Sequence, residues 1–268
     1  MPLSIPLTGL AANDPVPGNY IEVNFAQGPA SSGQTDYPIL LMGNMLSTGS
    51  AQVDGYVYGP DTTVPLTSEA DAVVLFGNGS ELHRMYKRAV KINQSTAIYA
   101  IVVTESAGSK ATKDIVITTT ATANATLRVW VQDVYVDVGV VSGDTPTVQG
   151  DNMVAAINAN GDWAVTAANV TGTVTLTAKQ KGLRGNFLRC SARYLNSSGS
   201  TVTPTTQTAF AGGTTADSNV AALATIVSQR FYNIVSAAED ATQVGALVTQ
   251  IGVMAAPIVG LRQRAFAG

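Results

Sequence analysis

The apolar pattern of this chain changes character twice. From Tyr37 to Thr104 it reads as helices alternating with strands that are apolar throughout. Tyr37 to Gly43 (YPILLMG) and Ala97 to Val103 (AIYAIVV) are continuous apolar runs, as expected of strands covered on both faces. Val53 to Tyr58 alternates weakly and suggests a further strand. Ser68 with Asp71 three residues on forms a capping-box-like start, so Ala70 to Phe76 is expected to be a short helix. Gly77 suits a left-handed C-terminal position. Ser80 caps a second helix, whose apolar face is Leu82, Met85, Tyr86, Ala89 and Val90. Arg84, Lys87, Arg88 and Lys91 fall largely off that face. A helix followed by an apolar strand indicates an α/β layer.

At Glu105 to Lys113 the composition shifts, and from Asp114 to about Ala211 the period is two. Ile115 and Ile117 alternate with Val116 and Thr118. Leu127, Val129 and Val131 and then Val134, Val136 and Val138 flank Gln132-Asp133, a hairpin with a short loop. Asp144 to Gly150 reads as a turn and Asp151 to Ala159 as the one helix, with Met153, Val154 and Ile157 inward. Trp163–Ala168 and Thr173–Ala178 form a second hairpin through Asn169 to Gly172, and Phe187–Tyr194 and Thr201–Phe210 add strands. Gly212 to Asn219 is a linker, after which helix and strand return: Val220–Ser228 helical, Phe231–Ser236 extended, Asp240–Ile251 helical, and Pro257–Leu261 the start of another strand. The expected fold class is a discontinuous α/β domain (26–107 and 214–268), left incomplete by a chain that stops at Gly268, with an inserted β-rich domain carrying one helix (108–213). That abrupt stop suggests a fragment of a longer protein.

Residues 1–25 stand apart. Pro2, Pro6, Pro15 and Pro17 remove backbone donors and fix φ, so the first residues form an extended arm or a disordered tail. Tyr20 to Phe25 alternates, with Ile21, Val23 and Phe25 on one side and Tyr20, Glu22 and Asn24 on the other. The beginning has neither a basic segment nor an apolar core, so it does not read as a signal peptide. Ile251 to Leu261 is too short to span a membrane and Pro257 interrupts it, so neither membrane insertion nor export is expected.

Charged residues make up only 12% of the 268, about half the usual share. That low value fits a surface used as an interface, and fits an ordinary β-rich surface too. The net charge is −3 with no basic stripe, which argues against nucleic acid as a partner. The chain holds one cysteine, Cys190, and one histidine, His83, which rules out an internal disulfide, a CxxC metal site and any two-His motif.

Candidate chemistry is sparse. Ser80 and His83 lie three apart, but no third group stands by to hold a base, so they read as a cap and a first-turn polar residue. Gly77-Asn-Gly79 lacks the rest of a phosphate loop and reads as a turn between helices. The aspartates at 133, 137, 144, 151 and 162 do not follow a calcium-loop spacing. Trp130 and Trp163 each read as isolated packing residues, and Cys190 as a small buried side chain. The run Lys179 to Asn186 (KQKGLRGN) is either a solvated turn or a contact for an anion or acidic partner. No catalytic, cofactor or metal residue emerges.

The ordered set VPGNYIEVNF, YPILLMG, LTSEADAVVLFGNGSELHRMYKRAVKIN and AIYAIVV, followed by VSGDT, VAAINAN, VTLTAKQKGLRGN and FYNIVSAAEDAT, resembles the tail sheath proteins of contractile phages, of the Mu-like type. The resemblance implies a structural subunit and no enzyme: a virion protein assembled in the bacterial cytoplasm, stacked in rings around a tail tube, contracting without cofactor or nucleotide to drive the tube through a cell envelope. It implies neighbouring subunits, tail tube and baseplate as partners, and an arm (residues 1–25) that adds a strand to a neighbour. Tyr20, Ile21, Val23 and Phe25 are then candidate subunit contacts, as are Arg84, Lys87, Arg88 and Lys91, which otherwise form a solvated helix face. Family members extend well past the equivalent of Gly268. The alternative left open is a β-rich virion decoration or adhesin-type binding protein.

Overall fold

Apolar runs without alternation can be buried only between two layers, and that is where they lie. The computed structural model describes residues 37–195, 206–238, 240–256, 259–260 and 262–267; the Tyr20–Phe25 segment lies outside them. A five-stranded sheet has the order β12-β11-β1-β3-β2, from β1 (Ile39–Gly43), β2 (Val57–Tyr58), β3 (Ile98–Val102), β11 (Asn233–Ser236) and β12 (Arg264–Ala267). Its strands are parallel except β2, a two-residue antiparallel edge. The apolar run at 37–43 thus pairs with β3 on one side and β11 on the other.

Successive side chains of β1 feed opposite layers. Leu41 packs with Ala72, Phe76, Leu82 and Tyr86 of α1 (Glu69–Phe76) and α2 (Glu81–Ile92). Leu40 and Met42 pack with Ala222, Leu223 and Leu247 of α4 (Val220–Thr225) and α5 (Ala241–Met254). The caps read from the sequence are in place: Ser68 and Asp71 form a reciprocal capping box, and Ser80 Oγ accepts the His83 amide at 3.1 Å. Gly77 has the positive φ expected of it, 85°, but its ψ of 144° sends the chain away from the left-handed helical region.

Residues 110–207 build two antiparallel sheets over a separate apolar cluster. One has the order β10-β4-β8-β7, from β4 (Lys110–Val116), β7 (Val165–Val170), β8 (Thr173–Lys181) and β10 (Thr206–Gln207); the other is β6-β5-β9, from β5 (Ala125–Val131), β6 (Val134–Val140) and β9 (Cys190–Leu195). Leu127, Val129, Val131, Val174 and Leu176 meet Met153 and Ile157 of α3 (Pro146–Ala159) between them. Both hairpins form where expected, although the second turns on Thr171-Gly172 alone, each with positive φ.

Three expectations need correction. The Asp144–Gly150 turn is largely helix: Thr145 caps α3 and Pro146 takes its first position, where a missing N–H costs nothing. Gly150 suits that helix because a Cβ there would lie 2.6 Å from Asn169 Oδ1. The Gly212–Asn219 linker is packed, with Asp217 only 8% exposed. The last strand begins at Arg264, and Val259 and Gly260 lie before it in a turn and loop.

Candidate functional site, a polar seam at the carboxyl edge of the sheet

In open α/β sheets, ligands bind outside the carboxyl ends of the strands, where the strand order reverses. Here the order reverses between β1 and β11, since the chain moves from β1 to β3 on one side and later to β11 on the other. Asn44 follows β1 and Ala237 follows β11. The side chain that reaches this point belongs to the protein: Arg184, from the 3-10 turn Leu183–Phe187.

Arg184 donates to the Ala237 carbonyl and pairs with Glu81 at the start of α2; its Nη2 lies 3.4 Å from Asp217 Oδ2. The side chains of Arg184, Glu81 and Asp217 are 11%, 9% and 3% exposed. Glu81 Oε2 also accepts the Asn44 amide at 3.1 Å. Asp217 accepts from Asn44 Nδ2 at 2.7 Å and from the Ser106 amide at 2.8 Å. One cation between two carboxylates, each holding further hydrogen bonds, is the arrangement that lets buried charge persist. The run at 179–186 is therefore neither a solvated turn nor an open anion site. Lys179 Nζ likewise donates to the Gly161 carbonyl, and to that of Asn78 at 3.3 Å.

The basic face of α2 continues the seam. Arg84 Nη1 donates to Gln132 Oε1 at 2.9 Å, Arg88 pairs with Asp133, and Lys87 bridges Glu69 and Asp162 at 3.0 Å each. Gln132 and Asp133 are the two-residue tip of the β5–β6 hairpin. Arg84, Lys87 and Arg88 are thus partnered within the chain, while Lys91 stays exposed and lines the cleft beside them. Burial pushes the Arg84 guanidinium down to about 10, with Arg88 nearby adding repulsion, so it stays protonated at neutral pH. The hydrogen bonds to Asp162 and Glu69 raise Lys87.

His83 sits at the same junction, 1% exposed. Its Nδ1 accepts the Gly79 amide at 3.1 Å and its Nε2 lies 3.4 Å from Glu69 Oε1, which assigns the proton to Nε2. Desolvation lowers its pKa despite Glu69. Ser80 caps the helix and is engaged with the His83 backbone rather than its ring. Gly79 is needed here: at φ 80°, a Cβ would lie 2.5 Å from Lys179 Nζ and 2.6 Å from the Trp163 carbonyl.

Cys190 packs against the β-rich core, and burial pushes its thiol up to about 11. Among the described residues no cluster of His, Cys, Asp and Glu could hold a metal, and no helix is long and apolar enough to cross a membrane. The sequence reading missed Asn44, Glu81, Ser106 and Asp217. Glu81 reads in the sequence as an ordinary acidic residue of a first helical turn, and nothing local signals its burial.

The crevice of the α/β sheet is thus filled from within by a side chain of the β-rich part. In sequence, the chain is 31% identical over 191 residues, 70% of its length, to the Mu-like prophage FluMu tail sheath protein of Haemophilus influenzae. The match takes in 38% of that relative. No protein-family model matches the chain. Among solved structures, a sheath tail protein from Listeria innocua aligns with 86% of this chain and 47% of its own, at 14% identity and a TM-score of 0.34. The flagellar cap protein of Escherichia coli aligns with 57% and 55%, at 14% identity and a TM-score of 0.23. At those scores neither bears on the fold.

Proposed function

We propose that this chain is part of a contractile tail sheath subunit, assembled in the host cytoplasm as stacked rings around a tail tube, contacting tube and baseplate, and contracting to drive the tube through an envelope. The observation that carries this reading is the 31% identity over 191 residues to a Mu-like tail sheath protein. The chemistry is mechanical: a bistable packing of subunits, with no catalysed step.

The domain organisation we propose is an arm and first strand (1–25), a discontinuous α/β sheath domain (26–107 and 214–268) and an inserted β-rich domain (108–213). The insertion is supported by its neck. The outgoing and returning segments run side by side, with Ser218 N donating to the Thr104 carbonyl at 3.1 Å and Ser109 N to Thr214 Oγ1 at 3.0 Å. A domain inserted into a loop leaves and returns at one place in this way. In the subunit contacts, Tyr20, Ile21, Val23 and Phe25 add a strand to a neighbour. Lys91 is the cation of the α2 face available to another subunit, while Arg84 and Arg88 brace the hairpin tip and Lys87 pairs with Glu69 and Asp162.

The test is made on tails. Immunogold electron microscopy of purified tails is expected to label this protein along the shaft; label confined to fibres or absent from tails would overturn the sheath reading. Deleting residues 1–25 is expected to yield tails without a sheath, and sheathed tails from the deletion would remove the arm's role.

A further inference from the structure

Between α2 and the tip of the β5–β6 hairpin lies a cleft of about 150 Å³. Its floor is apolar, from Val131, Trp163 and Ala164, all buried. Its walls are charged: Arg84, Lys87, Arg88 and Lys91 come from α2, and Asp133 and Asp162 from the β-rich part. Four cations face two carboxylates, an excess of two positive charges. The ion pairs show where that excess sits. Lys87 holds Asp162 and Arg88 holds Asp133, while Arg84 and Lys91 have no carboxylate partner among the described residues. Spacing on the helix adds to the imbalance. Arg84 and Arg88, like Lys87 and Lys91, are four residues apart, and like charges at that spacing destabilise a helix.

Arg84 points to the kind of ligand. Its Nη1 donates to Gln132 Oε1, which leaves the edge formed by Nε and Nη2. Nε is buried and has no hydrogen-bond partner. Buried donors are seldom left unmet. Two N–H groups side by side on a guanidinium match two oxygens of one oxyanion. Lys91 lies seven residues, about 10 Å, further along the helix and lines the same cleft, so one anion can meet both side chains. Size and charge then choose the class. A cleft this small takes a single charged group rather than a drug-sized molecule. A monocarboxylate answers one of the two spare charges. A phosphate carries about −1.5 to −2 near neutral pH and offers three strong acceptor oxygens, so it answers both. The apolar floor strengthens each of those contacts by lowering the local dielectric.

We propose that the cleft between α2 and the β5–β6 hairpin is a phosphate site, with the Nε–Nη2 edge of Arg84 and the Lys91 ammonium holding the anion. Bound there, phosphate ties α2 to the hairpin tip and raises the melting temperature of the chain. The inference stands apart from the sheath reading. The phosphate is either the free ion or the monoester end of a larger molecule, and two probes separate these. Inorganic phosphate and glycerol 2-phosphate are titrated into the full chain by calorimetry at fixed ionic strength, with acetate as the carboxylate comparison. Binding of both phosphates supports a site open to esters, binding of inorganic phosphate alone supports a site for the free ion, and acetate binds at least about tenfold more weakly in either case. Lys91→Ala, at an exposed position, keeps the fold and weakens phosphate on the order of tenfold, as loss of a charge-assisted contact does. Arg84→Lys keeps the charge but loses the fork and weakens it by a similar factor. Arg193→Ala removes an exposed cation outside the cleft and leaves binding unchanged. No binding of either phosphate, acetate binding as tightly, or an equal loss in Arg193→Ala and Lys91→Ala would overturn the proposal.

Discussion

Replacing Arg184 with alanine leaves Glu81 and Asp217 buried at the carboxyl edge of the sheet without their cation. Removing one member of a buried charge set costs about 3–5 kcal/mol, because the uncompensated partners remain. Urea denaturation of Arg184→Ala is expected to show a loss of that size. Arg88→Ala, whose pair with Asp133 is well exposed on both sides, is expected to change stability by about 0.5 kcal/mol or less. His83 contributes to the response to mild acid. Its pKa is lowered in the folded state, so below about pH 6.5 the unfolded chain binds more protons than the folded one and stability falls as the pH drops. A proton on Nδ1 would also face the Gly79 N–H that Nδ1 now accepts. Urea midpoints measured at pH 7.5 and 5.5 should fall for the native chain. In His83→Asn the side-chain carbonyl replaces Nδ1 as acceptor, and the difference should shrink.

Among the elements, the turn between α1 and α2 is the most constrained. Gly79→Ala forces a Cβ against the Trp163 and Gly161 carbonyls at a φ of 80°, and calorimetry should show a loss of about 1–3 kcal/mol. Gly143→Ala meets open space at a φ of 98° and should lose only about 1 kcal/mol. Ser80→Ala removes a fully buried cap and should cost about 1–2 kcal/mol by the same measurement. These elements were legible in the sequence because their signals are local. A cap lies three residues from its partner, an apolar face repeats every turn, and β1 and β3 are apolar along their whole length. The start of α3 was misread because Pro146 and Gly150 signal a turn in isolation, and only the close approach to Asn169 shows why a glycine belongs inside that helix. Arg184 was illegible for a different reason. Nothing near it in the chain distinguishes a lysine- and glycine-rich turn in water from one driven into a crevice, and its partners on α2 and at Asp217 are brought to it only by the fold.

At the scale of the whole molecule, the apolar clusters of the α/β sheet and of the β-rich sheets are separate, and what joins them is polar: the two-stranded neck, the Arg184 set, and the α2 contacts with Gln132, Asp133 and Asp162. Scanning calorimetry of the native chain is expected to give one unfolding transition, and Arg184→Ala to separate it into two as the bodies uncouple. A single, merely lowered transition would place the coupling elsewhere in the seam.

The dryness of the Arg184 set has a consequence for the medium. Mobile ions screen exposed charges over about 10 Å at 0.1 M salt, but buried pairs much less. The exposed Arg88–Asp133 contact should therefore fade in concentrated salt and strengthen in dilute media, while the crevice contacts barely respond. The α/β sheet and the β-rich sheets would then keep one fixed alignment whatever the ionic strength of the medium.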